Sequence, residues 1–232
     1  FGYRRQRQMC IRDRFIAGPT ASGKSTSALR LAKILDGVVI NADSMQVYED
    51  LSIVSARPSA EDCNAVPHRL YGCVGANEEW SVAHWLKAAV SEIKATWAMG
   101  KTPILTGGTG LYFKALDEGL AEIPNVSNEV RQQAAQRLEE EGLGVLYKEL
   151  EQLDPVSYGR LHENDVQRIR RAWEVVIETG HPLSYWLQRG QESFLSQSTA
   201  CVNRAVVLPD RDWLYERCDH RVEIMFETGG LD

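Results

Sequence analysis

Residues 18–25 read GPTASGKS: a glycine, four free positions, then Gly23, Lys24 and Ser25. This is the spacing of a phosphate-cradling loop, with no gap or substitution. With ordinary residue usage it arises by accident roughly once in a hundred chains of this size. The pattern constrains the fold as much as the chemistry. A Gly-rich turn that points successive backbone N–H groups inward leaves a strand and enters a helix, whose N-terminal end adds positive potential. The chain is thereby expected to form a parallel α/β unit with an anion at the turn. Gly18 and Gly23 supply the turn, and Pro19, Thr20, Ala21 and Ser22 fill it. Lys24 reaches phosphate oxygens and Ser25 is the candidate ligand for Mg²⁺.

The following stretches alternate as such a fold requires. Helical signals run from Ser25 to Leu35, and the β-branched run GVVIN, Gly37 to Asn41, reads as a buried parallel strand. Residues 81–98 place Val82, Leu86, Ala89, Val90, Ile93 and Trp97 on one helical face, with Ser81 as N-cap. PILTGG, from Pro103, reads as a strand breaking into a glycine turn, and TGLYFKAL starts the next helix. The expected architecture is a P-loop NTPase-like, doubly wound parallel sheet flanked by helices. Residues 127–190 hold helical patterns and no convincing strand, which predicts an all-helical insertion over 121–200. RAVVLP, Arg204 to Pro209, restores a strand and Arg211 to Thr228 a helix, so 15–120 and 201–232 are expected to form the core.

Composition sets the surroundings. Hydrophobic residues make up 44% and charged residues 25%, and no apolar run approaches the length of a membrane span. The five cysteines, Cys10, Cys63, Cys73, Cys201 and Cys218, are odd in number and scattered, as expected of reduced thiols in a cytoplasmic protein. A net charge of −6 excludes a general nucleic-acid coat, so any nucleic acid meets a local basic patch. The first 14 residues carry five arginines without periodicity and are expected to be a non-native leader that replaces the start of the first strand. The end, ERCDHRVEIMFETGGLD, is a helical pattern without a closing element, as in a C-terminally truncated chain.

Candidate ligand contacts lie just past the carboxyl ends of the strands. Asp43, directly after GVVIN, is placed for a metal ligand or a general base, and equally for a turn or N-cap aspartate. Gly107 and Gly108 admit close backbone approach, and Thr109 offers a hydroxyl or a plain cap. On the helix from Asn164 to Thr179, Val166, Ile169, Trp173, Val176 and Ile177 form the apolar stripe. Gln167, Arg170, Arg171 and Glu174 lie opposite. Such a polar face is either solvated surface or, with Arg168 added, a contact for a phosphate backbone or single-stranded RNA. Arg217 and Arg221, one turn apart, could close over a pyrophosphate or pair with Glu216 and Asp219.

These stretches together resemble the tRNA dimethylallyltransferases, also called tRNA isopentenyltransferases or IPP transferases, from about Phe15 to Asp232. The resemblance rests on GPTASGKS, NADSMQVY at 41–48, PHRLYG at 67–72, GGTGLYFKAL at 107–116, EVR at 129–131, HENDVQRIRRAWEV at 162–175 and L-x-x-R-x-x-x-R at 214–221. It implies transfer of a dimethylallyl group from dimethylallyl diphosphate to N6 of adenine 37 in tRNAs reading codons that begin with U. It makes Asp43 the base facing the adenine amine and gives Ser44, Met45, Gln46 and Arg131 contacts to tRNA. Thr109 would touch the oxygen bridging prenyl group and diphosphate. Gln167, Arg168, Ile169, Arg170 and Arg171 would grip the anticodon loop, and Arg221 would stabilise the developing pyrophosphate charge, with Mg²⁺ as cofactor. The chain is expected to act as a monomer away from membranes. Two alternatives remain at this point: a small-molecule P-loop kinase, with the Arg-rich segment in a lid, and a tRNA-binding fragment without turnover. GGTGLYFKAL and the lack of a second acidic residue after the strand at 103–106 stand against the kinase.

Overall fold

The computed structural model describes residues 12–189, 193–197 and 201–230. The chain divides into two units, one of the described residues up to Asp117 with those from Ser193 onward, the other of those within Glu118–Glu192.

The first unit runs β1 (Arg12–Ala17), α1 (Lys24–Leu35), β2 (Gly37–Asn41), α2 (Ala60–Ala65), β3 (His68–Arg69), α3 (Val82–Ala98), β4 (Thr102–Gly107) and α4 (Gly110–Glu118). The strands pair in parallel in the order β3-β2-β4-β1-β5, with β5 (Cys201–Val206) added late in the chain on the β1 side. Every residue of β2 is buried, as in a parallel strand covered on both faces. Side chains alternate accordingly. Phe15, Val38, Ile40 and Leu105 pack on Trp85, Ala89 and Ile93 of α3 and Tyr112 and Leu116 of α4, whereas Ile16, Val39 and Ile104 pack on Ala28 and Ala32 of α1. Ser81 caps α3 by accepting from His84 N at 3.2 Å, and the His84 ring returns the favour to Ser81 N.

Register levels the carboxyl ends. Ala17 lies opposite both Gly107 and Val206, and Asn41 opposite Thr106, so the loops leaving β1, β2 and β4 emerge at one edge of the sheet.

Three details differ from the sequence reading. β1 begins at Arg12, so Arg12, Asp13 and Arg14 of the expected leader are strand residues, while residues 1–11 lie outside those described. β5 begins at Cys201, three residues before Arg204, because pairing with β1 rather than the apolar run sets its start. Ser193, Phe194 and Leu195 already pack with the first unit: Ser193 Oγ donates to Leu116 O at 3.0 Å, Phe194 stacks on Trp97 and Leu195 joins the core. Cys63, Cys73, Cys201 and Cys218 are free thiols, and Cys10 lies outside the described residues. Among the described residues no helix is long and apolar enough to cross a membrane.

The second unit is helical: α5 (Asn128–Glu140), α6 (Leu143–Leu153), α7 (Pro155–Tyr158), α8 (Val166–Thr179) and α9 (Leu183–Gln188). Its core gathers Ala134, Leu146, Leu150, Ile169, Ala172 and Trp173. Arg137 donates to both oxygens of Glu149 at 2.8 Å and to Glu141, and Trp173 Nε1 donates to Glu149 at 2.7 Å. Asp154 caps α7 and also binds Ser184, so that four donors from Ser157 and Ser184 satisfy one buried carboxylate. Burial opposes its ionisation, and those hydrogen bonds outweigh it, holding the carboxyl below its ordinary range. After β5 the chain ends in α10 (Arg211–Glu227), part of the first unit.

Candidate active site

The P-loop joins β1 to α1 through two left-handed residues, Ala21 with φ 61° and Gly23 with φ 86°. Gly23 precedes α1 without a side-chain cap, so the first-turn N–H groups are left for an anion. Gly18 permits the tight entry. A Cβ there would lie 2.7 Å from Val207 O and 2.8 Å from Ser22 Oγ.

A cavity of about 530 Å³ opens over this turn, walled by Thr20 to Thr26 of the loop and helix start. Asp43, Met45 and Gln46 form a second wall, Leu51, Val54, Ser55 and Ala56 a third, and Arg217, His220, Arg221 and Ile224 of α10 a fourth. Lys24, Arg217 and Arg221 outweigh the single Asp43 carboxylate, which makes the cavity attractive to anions. Lys24 Nζ donates to Pro19 O at 3.0 Å. Burial lowers the Lys24 pKa, nearby Asp43 opposes that shift, and Arg221 adds to it. Ser22 Oγ and Arg221 Nε are both buried without a hydrogen-bond partner. An anion in the cavity would satisfy such groups.

Asp43 is fixed by its own turn. Its N–H donates to Asn41 Oδ1 and its Oδ1 accepts from Met45 N, both at 2.9 Å, which leaves Oδ2 as the oxygen available to a substrate. Asn41 is buried and held in turn, donating to Asp43 O and Leu70 O while its carbonyl accepts from Trp85 Nε1 at 2.8 Å. The turn meets β4 at Gly107, where a Cβ would fall 2.0 Å from Ala42 O. Thr109 closes the junction: its N–H donates to Ala42 O at 3.2 Å and its hydroxyl accepts from Ser44 N at 2.9 Å.

The α10 arginines reach back across the cavity. Arg217 Nε donates to Ala21 O at 3.0 Å with its guanidinium over Trp213, and Arg221 Nη2 donates to Val54 O.

Of the residues expected from sequence, Thr20 to Ser25, Asp43, Met45, Gln46 and Arg221 line this one cavity. Gly18, Pro19, Ser44 and Thr109 stand beside it as backbone and hydroxyl supports. Met45 is exposed, while Gln46 is buried and commits its amide to Ser55 O and Ala56 O at 2.8 and 3.0 Å. The remaining candidates lie in the second unit. Gln167 and Arg168 are exposed on α8, and Arg168 pairs loosely with Asp165 at 3.4 Å. Arg170 binds Glu174 at 2.7 Å and reaches Arg131 O, and Arg171 is half-buried, with burial lowering its pKa. The Ile169 side chain is wholly buried in the helical core, so only its backbone is left to face a ligand. Glu174, expected on the polar face, is buried as well, because Arg170 covers it.

Sequence reasoning missed the Leu51 to Ala56 wall, which carries no periodic or motif signal. His220 and Ile224 were detectable: with Arg217 and Arg221 they fall at i, i+3, i+4 and i+7, one face of a helix.

A family model described as IPP transferase matches residues 46–232. The tRNA dimethylallyltransferase of Azorhizobium caulinodans is 49% identical over 216 residues, covering 93% of this chain and 69% of that one. That of Rhodopseudomonas palustris is 46% identical, covering 94% and 67%. Among solved structures, a eukaryotic dimethylallyltransferase acting on tRNA superposes with a TM-score of 0.78 at 28% identity, over 95% of this chain and 54% of that one. The tRNA isopentenylpyrophosphate transferase of Bacillus halodurans superposes with a TM-score of 0.57 at 32% identity, over 94% and 67%. The chain thus spans about two thirds of the bacterial relatives' length, at nearly half identity to the first of them. A P-loop cavity closed by paired arginines, and relatives alike along almost all of this chain, place it in the IPP transferase family.

Proposed function

We propose that the chain is a tRNA dimethylallyltransferase, moving the dimethylallyl group of dimethylallyl diphosphate onto N6 of adenine 37, beside the anticodon of tRNAs that read codons beginning with U. The observation that carries this reading is the shared cavity, in which Asp43 faces the same space as the P-loop and the α10 arginines.

The diphosphate lies on the P-loop amides and Lys24. As the allylic C–O bond breaks, negative charge grows on the departing diphosphate, and Lys24, Arg217 and the unpartnered Arg221 Nε are positioned to offset it. The N6–C bond forms on the same carbon, and the proton that the positive nitrogen sheds passes to Asp43 Oδ2. Met45 N donates to the other oxygen of that carboxylate, and the Asn41 side chain holds the Asp43 backbone. Thr109 contacts the bridging oxygen, and the adenine is flipped out of its stack to reach the site. Ser44, Met45 and Gln46 contact the tRNA from the Asp43 turn, and Arg131, Gln167, Arg168, Arg170 and Arg171 grip the anticodon stem-loop. The protein works as a cytoplasmic monomer.

Mg²⁺ fits as a companion of the diphosphate. Among the described residues no group of three or more His, Cys, Asp or Glu side chains could hold a metal. Ser25 at the start of α1 offers one hard oxygen, and the diphosphate and water would supply the rest. Bound there, the ion supplies charge compensation to the leaving group.

The test is Asp43→Asn, which keeps the shape of the turn. Given labelled dimethylallyl diphosphate, Mg²⁺, ATP and unmodified tRNA, the parent protein incorporates prenyl groups and forms no ADP. The variant loses about 10² to 10⁴ in rate with little change in binding of either substrate. A variant that transfers at the parental rate, or recovers with added Mg²⁺, overturns the base assignment; a parent that forms ADP instead overturns the activity.

A further inference from the structure

Ser25 and Thr26 line a second cavity besides the large one, of about 120 Å³. Its other walls come from Leu29, Val39, Ala56 to Pro58, Asp62, His68, Tyr71 and Thr106. Thr106 stands near the carboxyl end of β4, in a run where Pro103, Ile104 and Leu105 are buried and apolar. Its side chain is buried, and Oγ1 has no hydrogen-bond partner. A buried hydroxyl left unpaired costs about 1–3 kcal/mol, and valine would fill the same volume in a strand without that cost. The chain nevertheless places a polar group here, beside the first turn of the P-loop helix.

The cavity suits water bound to a hard cation. The hydroxyls of Ser25, Thr26 and Thr106 supply oxygens. His68 Nδ1 lies 2.8 Å from Val66 O and so carries the ring proton when neutral, leaving Nε2 as an acceptor. Burial, followed by the nearby Asp43 charge, holds the Tyr71 phenol far above its ordinary range, so it stays a neutral donor. Of the charged residues on the wall, Arg57 Nη1 is engaged with Tyr48 O at 3.2 Å, and Asp62 Oδ2 with Ser59 N and Oγ at 3.2 and 2.9 Å, which leaves Asp62 Oδ1 as a further acceptor for water. The space is well above the ~10–15 Å³ that one water needs, and Mg²⁺ sheds its waters reluctantly and takes few protein ligands.

We propose that this small cavity houses the hydration shell of the divalent cation that Ser25 holds, with Thr106 as a positioning residue whose hydroxyl accepts from a cation-bound water. The proposal rests on the reading that a Mg²⁺-diphosphate sits on the P-loop. It makes cation affinity a joint property of diphosphate, Ser25 and a water-lined chamber.

Inorganic pyrophosphate is the probe. Calorimetric titration with Mg²⁺ and again with EDTA, on the parent, Thr106→Val and Thr106→Ser, isolates the metal-dependent part of binding. The parent and Thr106→Ser bind more tightly with Mg²⁺. Thr106→Val matches the parent in EDTA, loses about ten-fold of its affinity in Mg²⁺, as removal of an outer-shell partner does, and unfolds at the same or higher denaturant. Should Thr106→Val fold poorly, Thr106→Ala removes the hydroxyl without a new branch and gives the same comparison. An undiminished Mg²⁺ enhancement in the hydroxyl-free variants, or an equal loss in EDTA, overturns the chamber alone. A parent that binds no pyrophosphate under either condition overturns the P-loop reading and the chamber with it.

Discussion

Gly107 and Gly108 are adjacent, and the structure assigns them unequal tolerance to a methyl group. In Gly107→Ala the new Cβ would lie 2.0 Å from Ala42 O, 2.1 Å from Ala42 C and 2.7 Å from Asp43 N. All three are backbone atoms, so no rotamer relieves the clash. To reach even a 3.0 Å contact the Ala42–Asp43 peptide must retreat by about 1 Å. That movement strains the bonds from Ala42 N to Thr106 O at 2.8 Å and from Thr109 N to Ala42 O at 3.2 Å. Overpacking of this kind costs about 1–3 kcal/mol, and weakening buried backbone bonds adds about 1–3 kcal/mol. A total of about 2–6 kcal/mol is a large part of the ~5–15 kcal/mol that holds a domain folded. In Gly108→Ala the Cβ meets Asp43 Oδ2 at 3.4 Å and Gly18 O at 3.6 Å, ordinary contacts that cost under about 1 kcal/mol. Denaturant titration of both variants, followed by tryptophan fluorescence, measures the difference. Equal midpoints, or a Gly107→Ala loss below about 1 kcal/mol, would refute the claim that β2 and β4 meet backbone to backbone beneath Asp43.

Asp13 is buried in β1, its Oδ1 accepts from Trp97 Nε1 at 2.9 Å and its Oδ2 has no partner. Burial raises its pKa from 3.8 to about 6, against the smaller opposing effects of Trp97 and Arg14. The folded state therefore binds the proton more tightly, and its stability falls as pH rises from about 4 through 6. Asp13→Asn should gain on the parent across that window in denaturant midpoints taken at several pH values; a constant gap speaks against a buried carboxyl. On α8, Arg168→Ala should lower the slope of log affinity for tRNA against log salt by about one unit, at little cost in stability. Arg170→Ala should destabilise the helical unit by about 1–3 kcal/mol, because Glu174 is left buried without its partner. The reverse ranking in thermal melts and filter binding would exchange their roles.

What could be read beforehand was what is local. The P-loop, the ends of β2 and the Ser81 cap of α3 each depend on a few neighbouring residues. The core face of α3 shows where that stops. Periodicity found Ala89 and Ile93, which are fully buried, but it also favoured Leu86, Val90 and Trp97, which are only partly buried, and passed over Trp85, which is fully buried. Its indole N–H is satisfied by Asn41 O and its ring stacks on Tyr112 at 4.1 Å, two partners distant in sequence. Glu174 and Asp13 escaped for the same reason, since a charged residue reads as surface until the partner that buries it is known. The Leu51 to Ala56 wall is irregular chain, placed by Gln46 and Arg221 rather than by any pattern of its own.

The helix that supplies the site's arginines has no buried residue along its 17 positions, and the strand before it is exposed on nearly every side chain. Arg217 bound to Ala21 O and Arg221 bound to Val54 O tie that wall to two others of the cavity. The two guanidinium groups are at once ligands and latches. An anion that draws them inward adds to the same tethers, so filling the cavity and fastening its outer wall become one equilibrium, each strengthening the other by the same free energy.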